Sequence, residues 1–95
     1  MFDRILKRMR ERIRSRRYVM TLHAEQEMDA DELTIYDVER GILSGKISER
    51  QRDEVTSEWK YRIRGKTLDG EEVEVIAKLG PTGKLVILTV YVPQG

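Results

Sequence analysis

The spacing of apolar residues changes near residue 46, and this change constrains the fold more than any other feature of the sequence. Before it, apolar residues recur every three or four positions, as they do on one face of an α-helix. After it, they alternate with polar residues, as they do in a half-buried β-strand. A chain of 95 residues has room for one domain with one core. The sequence therefore predicts a single α+β domain over residues 1–95, with the helices first and the sheet after them.

Three segments in the first half of the chain carry helical signals. The first, residues 1–17, is a basic amphipathic helix with a narrow apolar stripe. A second helix is predicted to begin after Thr21, whose hydroxyl can cap it. A third begins after Thr34, where Asp37 has the spacing of a capping box. Gly45 is well placed to end this third helix.

The second half of the chain predicts an antiparallel meander of three or four strands. Residues 59–64 alternate between apolar and basic side chains, which indicates a strand with one basic face. Hairpin turns are predicted at residues 68–71 and 80–83. Residues 85–92 are apolar at nearly every position, as in a central strand. Residues 46–53 would add a charged edge strand.

The net charge of +1 hides a strong segregation of charge along the chain. Residues 1–18 hold eight basic and two acidic residues, whereas residues 19–40 hold seven acidic residues and one basic residue. Residues 59–70 are basic again. Such asymmetry can indicate a surface that binds a polyanion, but basic and acidic blocks that face each other would cancel. The sequence leaves both interpretations open.

Composition disfavours several classes of site. Without cysteine the chain has no disulfide framework, no thiolate metal site and no thiol nucleophile, and one histidine cannot build a multi-histidine metal centre. No apolar run approaches the roughly 18 residues that span a membrane. The basic N-terminus lacks the apolar stretch of a secretory signal. We therefore expect a cytoplasmic protein that has no membrane contact and needs no metal or other cofactor.

The strongest candidate for a binding surface is the row formed by Lys60, Arg62 and Arg64. These side chains would project from one face of a strand at a separation of about 7 Å. Cations at that spacing approximate successive phosphates of a nucleic-acid strand. In the alternative interpretation, Glu72 and Glu74 on the neighbouring strand neutralise the row, which is then structural.

Five other residues are candidates for an RNA site. Trp59 and Tyr91 offer rings on which unpaired bases can stack. Histidine is the side-chain type most often used as a general acid or base, so His23, the one histidine, is a candidate for that role. Arg8 and Arg12 form part of one row on the first helix and are candidate phosphate contacts. Each also has a structural interpretation. Aromatic residues in strands usually pack in the core, and a histidine near a helix start is usually hydrogen-bonded. The first helix is most simply a core-packing helix whose arginines face solvent, rather than one that binds nucleic acid or a membrane surface.

Residues 21–93 resemble a widespread bacterial family of small uncharacterised domains whose first helix opens with Ser or Thr, a spacer and His-Ala. The likeness is carried by the motifs Thr21-Leu22-His23-Ala24, Leu33-Thr34, Gly45-Lys46-Ile47, Tyr61-Arg62-Ile63, Asp69-Gly70 and Leu85 to Tyr91. The chain departs from the family at two positions. Where the family usually has arginines four and eight positions after the histidine, this chain has Glu27 and Asp31. Acids there suit a basic partner, such as the chain's own first helix.

The resemblance implies a fold similar to that of the RelE/ParE and MqsR toxins. It also implies the toxin half of a bacterial toxin–antitoxin pair, which cuts mRNA without a metal ion. The residues that match catalytic groups are His23, Arg62 and Tyr91, with Lys60 on the same face as Arg62; Arg64 would bind RNA beside them. The implied partners are RNA and an antitoxin protein, which in some such pairs is of the zinc-ribbon type. The alternative is a non-catalytic protein- or nucleic-acid-binding module of the same fold.

Overall fold

A computed structural model describes residues 1–93 of the protein; residues 94 and 95 of the predicted domain lie outside the described residues. Within that range the predicted α+β class is confirmed, with three helices and one five-stranded sheet. The elements in chain order are α1 (Asp3–Arg14), β1 (Tyr18–Met20), α2 (Leu22–Ala30), α3 (Ile35–Ser44), β2 (Lys46–Arg52), β3 (Trp59–Lys66), β4 (Glu72–Leu79) and β5 (Leu85–Tyr91). None of these helices is long and apolar enough to cross a membrane.

The sheet differs from the predicted antiparallel meander in one strand and one pairing. Its strand order is β1-β5-β4-β3-β2, and the neighbours from β2 to β5 are antiparallel. The additional strand β1 pairs in parallel with β5, with Tyr18 opposite Leu85, so the sheet is mixed. The sequence predicts a short β-prone stretch at residues 18–21, but three strand residues are too few to show an alternating pattern. Its partner lies far along the chain, so only the folded structure reveals the pairing.

The helices cover one face of the sheet and leave the other face without a helix. In β3, Tyr61 and Ile63 are buried on the helix side, so Arg62 between them lies on the opposite face. We call that opposite face the open face. The core lies between the helices and the sheet, and its buried residues are Met9, Ile13, Ala24, Leu33, Val38, Ile42, Tyr61, Ile63, Val73, Val75, Ala77, Leu85, Ile87 and Val90.

Helix α3 begins at the capping box that the sequence predicts. The backbone N–H of Asp37 donates to Thr34 Oγ1 at 3.2 Å, and the N–H of Thr34 donates to Asp37 Oδ2 at 3.0 Å. The hydrogen bond from the Thr34 backbone is the main cause that lowers the pKa of Asp37 below its ordinary value. The capping box fixes the residue at which α3 begins. Helix α3 then packs against β3 and β4, on the side of the sheet opposite the open face.

Replacing Thr34 with alanine removes the hydroxyl that caps α3. We expect a decrease of about 1 kcal/mol in the free energy of unfolding, and hence a decrease in Tm of roughly 4–8 °C for a domain of this size. Thermal unfolding followed by circular dichroism measures the change. The control is Thr82→Ala in the exposed turn after β4, which caps no helix. Equal Tm values for the two variants would contradict the capping role.

Candidate functional site on the open face of the sheet

Five polar side chains from four strands meet on the open face. Arg64 of β3 lies directly opposite Glu74 of β4 in the sheet register. On the other side of Glu74, its register partner on β5 is Tyr91. Arg62 lies two residues before Arg64 on the same face, and its register partner on β2 is Glu49. We call Glu49, Arg62, Arg64, Glu74 and Tyr91 the Arg–Glu–Tyr cluster.

Glu74 is the centre of the cluster and is only 3% exposed. Arg64 Nη2 lies 3.3 Å from its Oε2, and Arg62 Nε lies 3.7 Å from its Oε1. Arg62 also places Nη1 3.5 Å from Glu49 Oε2. Among the described residues, Oε1 of Glu74 accepts no hydrogen bond and Nε of Arg62 donates none. The cluster thus holds a buried carboxylate between two cations, and Oε1 of that carboxylate has an ion pair with Arg62 but no hydrogen bond within the described residues.

Tyr91 adds a protonated phenol to this cluster. Burial raises the pKa of its hydroxyl above the ordinary value of 10.0, and the negative charge of Glu74 raises it further. The positive charge of Arg62 opposes this rise. The phenol therefore remains protonated at neutral pH and can donate a hydrogen bond or a proton on the open face.

Lys60 shares the open face but lies toward the other end of β3. It lines a hollow with Asp53, in the loop that joins β2 to β3. The pKa of Asp53 is lowered chiefly by hydrogen bonds from the backbone N–H groups of Thr56 and Val55, and the charge of Lys60 adds a smaller effect. No hydrogen bond or ion pair within residues 1–93 joins Lys60 to the Arg–Glu–Tyr cluster.

His23 lies on a different part of the molecule, in the exposed first turn of α2. Its Nε2 lies 3.0 Å from Oε1 of Glu27, one helical turn later. The same Glu27 oxygen accepts a hydrogen bond from the backbone N–H of Val90 at 3.3 Å, and Asp31 accepts one from the N–H of Val92 at 3.3 Å. The two acids therefore bind the edge of β5 beyond the end of β1. This explains what the acidic side chains do at these two positions, one in α2 and one at its C-terminal cap.

Trp59 faces the helix side, opposite to the cluster. The guanidinium groups of Arg50 and Arg52 lie 4.0 and 4.4 Å from the centre of its ring. Arg8 of α1 lines a groove of about 280 Å³ together with Trp59. Trp59 and Arg8, both predicted to bind nucleic acid, thus lie near each other but on the side of the sheet away from Arg62.

The cations of α1 do not pair with the acidic block that follows them. Within residues 1–93, no ion pair joins residues 1–18 to residues 19–40. Arg12 instead donates from Nε to the carbonyl oxygen of Gly83 at 2.6 Å, in the turn before β5. Arg12 therefore links α1 to that turn. Neutralisation of α1 by the acidic block, one of the two interpretations that the sequence leaves open, is not seen as ion pairs within residues 1–93.

The family of the chain follows from a sequence comparison. The sequence model of a domain of unknown function, DUF4258, matches residues 20–92. The chain belongs to the DUF4258 family. The predicted membership of an uncharacterised small-domain family is thereby confirmed. Comparisons with curated proteins and with solved structures give no significant match.

The DUF4258 match begins at the last residue of β1 and ends just after β5. It therefore includes α2, α3 and the four antiparallel strands, and it leaves out α1. All five residues of the Arg–Glu–Tyr cluster lie inside the matched region. The cluster is thus a feature of the DUF4258 part of the chain, whereas Arg8 and Arg12 are additions outside that part.

The DUF4258 site contains two acids that sequence reasoning does not include among the functional residues. The sequence predicts Glu74 only as a neutralising partner, together with Glu72. Of these two acids, only Glu74 forms ion pairs with Arg62 and Arg64 within the described residues. Glu72 is instead the register partner of Lys66. Glu49 gives no signal in the sequence, because its contact with Arg62 depends on the register between β2 and β3. No group of three or more potential metal ligands of the His, Cys, Asp or Glu type occurs within residues 1–93.

Proposed function

We propose that this DUF4258 domain is an endoribonuclease that cuts mRNA without a metal ion, with the Arg–Glu–Tyr cluster as its active site. One observation supports the proposal. The cluster joins a buried carboxylate, two guanidinium groups and a protonated phenol on a face of the sheet that no helix covers. These are the base, the cations and the acid that RNA cleavage by the neighbouring 2′-hydroxyl requires.

Each group has a role in the proposed reaction. Oε1 of Glu74 is buried beside Nε of Arg62, so the RNA must first displace the Arg62 side chain from it. Oε1 then takes the proton of the 2′-hydroxyl, whose oxygen forms a bond to phosphorus. Arg62 and Arg64 stabilise the negative charge that develops on the phosphoryl oxygens. The bond from phosphorus to the 5′-oxygen breaks, and Tyr91 gives its proton to that oxygen. An alkoxide is a stronger base than a phenolate, so this transfer is favourable. The products are a 2′,3′-cyclic phosphate and a 5′-hydroxyl, and solvent returns the proton from Glu74 to Tyr91.

The proposal includes kinship with toxins of the RelE and MqsR type. Its support is the sequence resemblance over residues 21–93, together with the order of α2 and α3 followed by four antiparallel strands. The protein would act on RNA in the cytoplasm of a bacterial cell, and an antitoxin protein would neutralise it. His23 and Lys60, which lie outside the cluster, would bind the RNA strand at a distance from the cleaved bond rather than take part in the reaction.

A non-catalytic binding module of the same fold is the second candidate. The observation that favours it is the pairing of Arg62 with Glu49 and of Arg62 and Arg64 with Glu74. These pairs offset much of the positive charge that would attract a phosphate. In that case the cluster would hold the strands together, and binding would use other surfaces of the domain.

Induced expression in a bacterial host distinguishes the two candidates. We expect growth arrest and new RNA fragments with 5′-hydroxyl ends when the intact chain is induced. Replacement of Arg62 with alanine removes a cation from the cluster and is expected to abolish both effects. Growth is followed by optical density, and RNA ends are mapped by sequencing.

The matched control is Arg14→Ala, which removes the same charge from an exposed position on α1. This variant is expected to arrest growth as the unmodified chain does. Normal growth with intact RNA, at equal levels of folded protein, would contradict the nuclease and favour the binding module.

A further inference from the structure

A second basic feature lies on the open face, beside the Arg–Glu–Tyr cluster. It is a groove of about 390 Å³ where the start of β2 meets the end of β3. Its basic lining residues are Lys46, Arg64 and Lys66, and its acidic lining residue is Glu72. We call this space the lysine groove. Because Arg64 belongs to both, the groove is continuous with the cluster.

The lysine groove carries an excess of positive charge. Three cations face one acid, and among the described residues neither Lys46 nor Lys66 forms an ion pair. The third cation, Arg64, is paired with Glu74 of the cluster. Within the described part of the chain, the groove therefore offers two unpaired ammonium groups to an anion.

The spacing of these cations matches a phosphodiester chain. Lys46 is the register partner of Arg64, so the two backbones are one strand spacing apart, about 4.8 Å. Lys66 follows Arg64 by two residues on the same face, a separation of about 7 Å. That distance approximates the step between successive phosphates of an extended single strand.

We infer that the lysine groove is a phosphate subsite that binds the RNA phosphate adjacent to the one at the Arg–Glu–Tyr cluster. This inference rests on the proposed function, because it assumes that the cluster holds the neighbouring phosphodiester. Lys46 and Lys66 supply the charge for this subsite. The groove thereby fixes the path of the strand across the open face, from the cluster toward the start of β2.

The test uses a strand that binds but cannot be cleaved. A short oligodeoxythymidylate has phosphates but no 2′-hydroxyl, so its affinity does not depend on catalysis. Its binding to the intact chain and to the double variant Lys46→Ala/Lys66→Ala is measured by fluorescence anisotropy over a range of salt concentrations. We expect weaker binding in the variant, and a salt dependence whose log–log slope falls by about 0.7 for each phosphate that the variant no longer neutralises.

The control removes two lysines elsewhere. Lys7→Ala/Lys84→Ala changes the net charge equally, at exposed positions on α1 and before β5. It is expected to retain the slope of the intact chain. An unchanged slope in Lys46→Ala/Lys66→Ala, or an equal decrease in both double variants, would overturn the subsite.

The outcome for the subsite is separable from the outcome for the nuclease. A specific decrease of the slope in the Lys46→Ala/Lys66→Ala variant, with no cleavage of RNA by the intact chain, would support the subsite and contradict the nuclease. Cleavage by the intact chain, with the same slope in the intact chain and the Lys46→Ala/Lys66→Ala variant, would support the nuclease and contradict the subsite.

A second measurement on the intact chain is a titration with inorganic phosphate. We expect the amide signals of Gly65 and Lys66 to shift in NMR spectra, and their constancy would count against the subsite.

Discussion

Replacing Gly65 with alanine is expected to destabilise the protein more than alanine at any other glycine within residues 1–93. Gly65 lies in β3 where α3 crosses the sheet. A Cβ atom placed there would overlap the carbonyl oxygen of Gly41 and would lie 2.8 Å from its carbonyl carbon and 3.0 Å from the Cα of Gly45. All three of these atoms belong to the backbone, so no side chain can turn away to make room.

The only relief is to move α3 away from the sheet. That movement would separate Val38 and Ile42 from the core, where both are fully buried. We expect a cost on the order of 3 kcal/mol or more. This is a large part of the 5–15 kcal/mol that typically stabilises a domain. The expected decrease in Tm is more than about 12 °C.

Thermal unfolding by circular dichroism tests this prediction, with Gly80→Ala as its control. The nearest atom to a Cβ at Gly80 is Val86 Cγ2 at 3.3 Å, which belongs to a side chain that can shift. We expect Gly80→Ala to change the Tm only slightly. A Tm for Gly65→Ala within a few degrees of that control would show that α3 and β3 have room for a methyl group between them.

Replacing Glu74 with glutamine is expected to reduce the rate of RNA cleavage by about 10²–10⁴-fold, the usual contribution of a general base. The amide has nearly the same shape as the carboxylate, but it cannot take the proton of a 2′-hydroxyl. It also no longer balances the charges of Arg62 and Arg64. The rate is measured with purified protein and a single-stranded RNA labelled at one end.

The same substitution separates catalysis from binding and from folding. Without the carboxylate, Arg62 and Arg64 are free to attract phosphate, so the affinity for an uncleavable strand is expected to rise or stay equal while cleavage falls. The control is Glu71→Gln, which neutralises an exposed acid just before β4 that lies outside both the cluster and the lysine groove. Equal cleavage rates for the two folded variants would contradict the role of Glu74 as the base.

Local signals in the sequence predict much of the fold. Thr21 and Thr34 cap α2 and α3 as expected, because a cap depends on residues only three positions apart. The alternation in β3 also places Arg62 and Arg64 on one face, because successive strand residues point to opposite sides. The sequence indicates a short β-prone stretch at residues 18–21, where β1 lies, but its parallel pairing could not be predicted, since its partner on β5 is about 67 residues away in the chain.

Of the five residues in the Arg–Glu–Tyr cluster, the sequence predicts only the two arginines and the tyrosine as functional residues. Arg62, Arg64 and Tyr91 are candidates from the sequence, and they lie together in the structure. Trp59 and His23 are candidates by residue type, but the structure places Trp59 on the helix side and His23 beside Glu27. Residue type does not determine which groups meet, because strand order and register decide that.

The sequence by itself determined the α+β class, the starts of two helices, the basic face of β3 and membership of the DUF4258 family. These features depend on neighbours in the chain or on a pattern along it. Only the tertiary structure decided that Glu74 lies between Arg62, Arg64 and Tyr91, and that Glu27 and Asp31 bind the edge of β5. The physical reason is that these contacts join elements distant in the chain, and their geometry exists only once the sheet has its final strand order and register.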